Sequence, residues 1–177
     1  MNKFTRKYLI ITAHPDDLEM GCGGLVSRVI KEGGTVTNLI LVKPSAEHND
    51  KRDENLVSYA ESFIQDHDIL ISHWREDHHQ DHRVCYDVAR SISRKHFEQF
   101  WCMDQPPYNL HYKNFDCNQY IDITDYVDQK RKLLESYKTY FNNDSIETII
   151  NYNKYRGSFL GAGKVAETFQ IMYNKNI

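Results

Sequence analysis

The chain has 177 residues, 40% hydrophobic and 27% charged, with a formal net charge of -3. That is the length of one domain with room for a substantial core, and no basic run is present to track a phosphate backbone, so a nucleic-acid partner is not expected. The longest apolar stretch near the start, Tyr8 to Thr12, is too short for a membrane span or a signal-peptide core, which points to a cytoplasmic protein without membrane insertion. Four cysteines, Cys22, Cys85, Cys102 and Cys117, form no CxxC pair and read as reduced packing thiols.

In chain order, Lys7 to Ala13 reads as a buried strand, Leu25 to Lys31 as a helix entered through Gly21-Cys22-Gly23-Gly24, and Thr35 to Val42 as a β-branched second strand. Together they make a βαβ unit. Asp53 to Gln65 spaces Leu56, Tyr59, Ala60, Phe63 and Ile64 as one face of a helix, and Asp68 to Trp74 follows as a third strand. Arg83 to Ser93 is a helix and Glu98 to Met103 a short strand. Asp104 to Asn118, with Pro106 and Pro107, is a loop that either faces a substrate or simply crosses the surface. Gln119 to Thr124 is a further strand, and Thr124 or Asp125 can cap a helix from Tyr126 to about Tyr140. No repeat or linker divides the chain, so residues 1–177 are expected to form one α/β domain with a mostly parallel sheet.

Two polar clusters interrupt this pattern, each just after a strand. The first is His14-Pro15-Asp16-Asp17-Leu18-Glu19, an imidazole and three carboxylates within six positions. Like charges packed so closely raise one another's pKa, and a divalent cation is the simplest compensation. His14 and Asp17 are suitable ligands. The second cluster, Asp77-His78-His79-Gln80-Asp81-His82, can supply a third and leave a fourth tetrahedral position open, which is the pattern of a catalytic zinc site. In an open parallel sheet, ligands bind beyond the carboxyl ends of the strands, so both clusters would converge on one crevice.

Ala13-His14-Pro15-Asp16-Asp17-Leu18-Glu19 resembles the AHPDDxE signature of the PIG-L/LmbE-like zinc-dependent N-deacetylases. Asp77 to His82 resembles that family's DxHxDH element, with Gln80 where proline is usual. Ile121-Asp122-Ile123-Thr124 followed by Lys130 is similar to the family's late strand and next helix. Arg156-Gly157 and Ala166-Glu167-Thr168-Phe169 are similar to its C-terminal RxxG and AExF patches. The resemblance implies a Rossmann-like three-layer sandwich. Only Lys43 to Asp68 lies between the second and third strands, so the chain reads as a shortened member of the family.

The resemblance implies His14, Asp17 and His82 as ligands for Zn2+ or another divalent metal. Asp16, which has no metal role in this scheme, is left to move protons between a water and the leaving nitrogen. His79 would face the oxyanion, oriented by Asp81 through its other ring nitrogen. Asp77 and Glu19 are expected to orient neighbours. Arg52 and Arg156 are the candidate substrate-binding residues, with an ion pair to Glu167 as the structural alternative for Arg156. The activity implied is removal of an N-acyl group, most often acetyl, from an amino sugar or sugar conjugate. Two alternatives stay open: hydrolysis of another small N-acyl or N-formyl amide in natural-product assembly, and a catalytically silent metal-binding module.

Overall fold

The computed structural model describes residues 3–42, 54–107 and 114–175. Among these residues six strands form one sheet: β1 (Lys7–Thr12), β2 (Thr35–Ile40), β3 (Ile69–Ser72), β4 (Gln99–Met103), β5 (Gln119–Asp122) and β6 (Ala166–Asn174). Their order across the sheet is β2-β1-β3-β4-β6-β5. The first four neighbours pair in parallel, while β6 runs antiparallel to both β4 and β5. Chain order reverses direction at β1, where β2 lies on one side and β3 on the other. A crevice therefore opens beyond the carboxyl ends of β1 and β3.

Among the described residues five α-helices cover the sheet: α1 (Asp17–Lys31), α2 (Glu54–Ser62), α3 (Gln80–His96), α4 (Val127–Glu135) and α5 (Asn143–Gly157). The central strands β1, β3 and β4 are buried on both faces because both faces are covered. Tyr8, Ile10, Ile69, Ile71 and Trp101 pack with Leu18, Cys22, Leu25 and Val29 of α1. Leu9, Ile11, Leu70, Phe100 and Cys102 point the other way, onto Cys85, Val88, Ala89 and Ile92 of α3. A smaller cluster joins Met20 to Leu134 of α4 and to Ile146, Ile149 and Ile150 of α5. The result is the three-layer α/β sandwich with a mostly parallel sheet.

Several boundaries differ from the sequence pattern. The Gly-rich stretch does not precede α1 but lies inside it, and Cys22, at φ -147° and ψ 20°, breaks the helix there. α3 begins at Gln80, three residues early, because the His79 ring accepts the Asp81 N–H and caps it. α4 is short: a 3-10 turn at Thr124–Tyr126 precedes it and it stops at Glu135. All four cysteines are free, and burial raises every one of their thiols. Among the described residues no helix is long and apolar enough to cross a membrane.

Candidate metal centre

His14 and Asp17 follow β1, His73 follows β3, and His82 lies in the first turn of α3, so parallel strand ends and one helix start bring four residues together. Asp17, 3% exposed, is held by its surroundings. Its Oδ2 accepts the N–H groups of Ala13 at 3.1 Å and His14 at 2.7 Å, and its Oδ1 accepts Gln105 Nε2 at 2.7 Å. Burial alone would raise this carboxyl, but the neighbouring imidazoles, His14 first, outweigh it and hold it well below the usual range.

Hydrogen bonding fixes two tautomers. A carboxylate only accepts, so Gln105 must turn its NH2 to Asp17 and its Oε1, 3.0 Å away, to His73 Nδ1. His73 then carries its proton on Nδ1, and its Nε2 accepts the Ala13 N–H at 3.1 Å. The 3.3 Å approach of that nitrogen to Asp17 is a contact without a proton. Burial lowers the His73 pKa, consistent with a neutral ring. His82 Nδ1 lies 2.8 Å from Asp77 Oδ2, which leaves the His82 Nε2 lone pair facing Asp17 Oδ1 at 3.3 Å. The His73 contact is relieved by the Ala13 N–H, which donates to both acceptors; this second pair shares no such donor among the described residues and calls for a cation between them. Burial would depress the His82 imidazole, yet Asp17 and Asp77 pull it up to about 9, so a proton fills the place when no metal does.

Ligand atoms of His14, Asp17 and His82 all lie within 4.8 Å of one another. Two other groupings among the described residues meet the same distance, His14-His79-Asp81 and His73-Asp77-His82. In the latter, both nitrogens of His73 and Nδ1 of His82 are engaged, so His73 has no lone pair to offer a metal. The former rests on the exposed His79 ring. A donor set of two imidazoles and one carboxylate, with Asp77 bracing one imidazole from behind, fits zinc.

The remaining sequence candidates are placed as follows. Asp16 stands at the start of α1 but its side chain makes no capping bond, and burial, then Asp17, raises its carboxyl. Asp81 does meet a ring nitrogen of His79, but through its backbone and not through its carboxylate. His79 Nδ1 accepts the Asp81 backbone N–H at 3.2 Å, while the Asp81 carboxylate lies 3.8 Å from His79 and 3.2 Å from His14 Nε2. With Nδ1 accepting, a neutral His79 carries its proton on Nε2. Arg156 is bound to Asp104 at 3.1 Å and to the Tyr152 hydroxyl at 2.6 Å, and Glu167 pairs with Lys130 instead. Asp104 is joined through the next residue, Gln105, to the centre. Arg52 lies outside the described residues. His73 and Gln105, which the motifs do not include, are integral to the site.

Fold and side chains thus define an α/β domain with a metal-binding type of His–Asp cluster beyond its parallel strands. Residues 9–61 match the model of the PIG-L family, described as GlcNAc-PI de-N-acetylase. No curated protein sequence matches the chain. Among solved structures, a conserved protein of Thermus thermophilus is 19% identical with a TM-score of 0.68, over 96% of this chain and 95% of that one. The 4-carboxy-2-hydroxymuconate hydratase of Pseudomonas putida is 13% identical with a TM-score of 0.75, over 95% and 96%. The N,N'-diacetylchitobiose deacetylase of Pyrococcus horikoshii is 15% identical with a TM-score of 0.73, over 94% and 84%. The resemblance to the PIG-L/LmbE-like family therefore stands, on the model match over residues 9–61 and on a fold shared along nearly the whole chain. A hydratase and a deacetylase share that fold, so the side chains must choose the reaction.

Proposed function

We propose that the protein is a metal-dependent N-deacetylase acting on an amino sugar or sugar conjugate, with His14, Asp17 and His82 holding Zn2+ or another divalent ion. The observation that carries this reading is the convergence of those three ligands, with Asp77 behind His82 and the half-buried Asp16 carboxyl, which makes no capping bond, next to Asp17 in the chain. A divalent ion there supplies Lewis acidity, making a water more acidic and polarising an acyl oxygen.

The chain's own residues supply the rest. Asp16, half-buried and with a raised carboxyl, is suited to take a proton from the attacking water and return it to the departing amine. His79 donates from Nε2 to the oxygen of the tetrahedral species; burial, with His82 and His14 nearby, lowers its pKa and keeps it a neutral donor. The match to a family described as a GlcNAc-PI de-N-acetylase and the fold shared with a chitobiose deacetylase support an N-acetyl sugar substrate. Metal content of the purified protein and of His82→Ala tests the reading. About one divalent ion per chain is expected in the parent and a clear loss in the variant. Full occupancy in His82→Ala would remove the second motif from the site.

A further inference from the structure

Lys130 and Glu167 take no part in the metal cluster, yet they are 0% and 1% exposed. They meet at the break in α1. In an unbroken helix the Gly24 N–H would bond to the Met20 carbonyl and the Leu25 N–H to that of Gly21. Cys22 interrupts that ladder. Gly24 N–H instead donates to Glu167 Oε1 at 2.8 Å and Leu25 N–H to Oε2 at 2.7 Å. Across the break, the Met20 carbonyl accepts from Lys130 Nζ at 2.8 Å, and the same ammonium donates to Glu167 Oε1 at 2.6 Å. The carboxylate thus sits at the amino end of the long segment and the ammonium at the carboxyl end of the short one, each where the helix dipole favours it. That short segment is the turn carrying Asp17 and Glu19.

We propose that Lys130 and Glu167 are positioning residues for the metal centre: they set the offset between the first turn of α1 and the rest of the helix, and with it the place of Asp17 relative to His82. This rests on the metal reading above. A buried ion pair is weak evidence for stability in general, because desolvation offsets its attraction. Here it replaces backbone bonds beside a ligand, which gives it a geometric task.

The test compares Glu167→Gln with Phe97→Leu, a control for general destabilisation at the opposite end of the sheet. Two quantities are read in each: zinc affinity by chelator competition, and the amide resonances of Ala13 and His14 in metal-free protein, which report the Asp17 carboxylate. Glu167→Gln is expected to weaken zinc binding by about tenfold to a hundredfold and to move both resonances. Phe97→Leu, at a similar loss of Tm, is expected to do neither. Unchanged affinity and unmoved resonances in folded Glu167→Gln would overturn the proposal. If that variant does not fold, Lys130→Gln/Glu167→Gln, which removes both charges together, carries the same readouts. If neither folds, the parent decides: added zinc must slow exchange of the Gly24 and Leu25 amides by linkage, and no change overturns the proposal. A parent that takes up no zinc would sink the metal reading alone, leaving the resonance shifts to judge the positioning role.

Discussion

Asp16 and Asp17 are neighbours with opposite surroundings. The buried Asp17 carboxylate is held by imidazoles and backbone N–H donors, whereas Asp16 is half-buried, makes no capping bond and has its carboxyl raised by burial and then by Asp17. Asp16→Asn should therefore keep its metal and lose on the order of 10² or more in kcat, the scale of general acid–base catalysis, while Asp17→Asn should lose metal affinity. Metal titration beside steady-state kinetics separates them, and matching losses in the two variants would contradict the division. Asp77→Asn leaves all three ligands in place but removes the charge that orients His82, so its zinc affinity should fall about tenfold to a hundredfold. A chelator-competition value equal to the parent's would show that Asp77 only ties the loop. The two polar clusters that hold His14, Asp17 and His82 were legible because dense polar spacing after an apolar run is rare, while the choice of His82 within the second cluster came from the family resemblance. His73 and Gln105 were not, since a single histidine or glutamine past a strand has no spacing partner. The signal available was position alone: His73 directly follows the buried run Ile69–Ser72.

At the scale of elements, the break in α1 makes its glycines unequal. A Cβ at Gly24 would come within 2.7 Å of Ile123, whereas one at Gly23 would meet Leu133 and Lys130 at an ordinary 3.6 Å. Gly24→Ala should cost about 1–3 kcal/mol by overpacking. Gly23→Ala should instead gain roughly 0.4–1 kcal/mol by restricting the unfolded chain. Urea denaturation midpoints shifting in the same direction would contradict this. The end of β5 carries an acid-sensitive contact. Burial works to raise the Asp122 carboxyl, but Lys164 and Thr124 prevail and hold it at about 2. Its folded pKa lies below the unfolded value, so its contribution is present above about pH 4 and is lost as pH falls toward the folded value. Asp122→Asn should flatten that part of the acid decline in urea midpoint, modestly, because the pair is partly exposed; an identical decline in both proteins would exclude the contact as its source. The first four strands were readable from apolar runs between turn signals. α5 and β6 were not, for physical reasons. The Ile146, Ile149 and Ile150 stripe of α5 is diluted by asparagines and tyrosines, and β6 is buried on both faces only over Ala166–Phe169, so it neither alternates nor forms a long apolar run.

For the whole molecule, the βαβ pattern alone places both motifs at one crevice, whereas the antiparallel insertion of β6 between β4 and β5 depends on long-range pairing that local sequence does not encode. Between β2 and β3 the sequence holds only Lys43 to Asp68; residues 43–53 lie outside the described residues, and the described remainder contains the helix α2. With little chain to enclose a substrate on that side, binding energy should come from parts remote from the amide. A conjugated N-acetyl amino sugar is therefore expected to exceed free N-acetylglucosamine in kcat/KM by about tenfold, roughly 1.4 kcal/mol of transition-state binding. Equal values would show that the rim imposes no such preference. The most direct test of the central claim is amine release from such a conjugate by the parent protein, followed before metal removal, after exhaustive chelation, and after zinc is restored. Release, its loss, and its recovery are expected in that order. Release that persists undiminished in metal-free protein would contradict it.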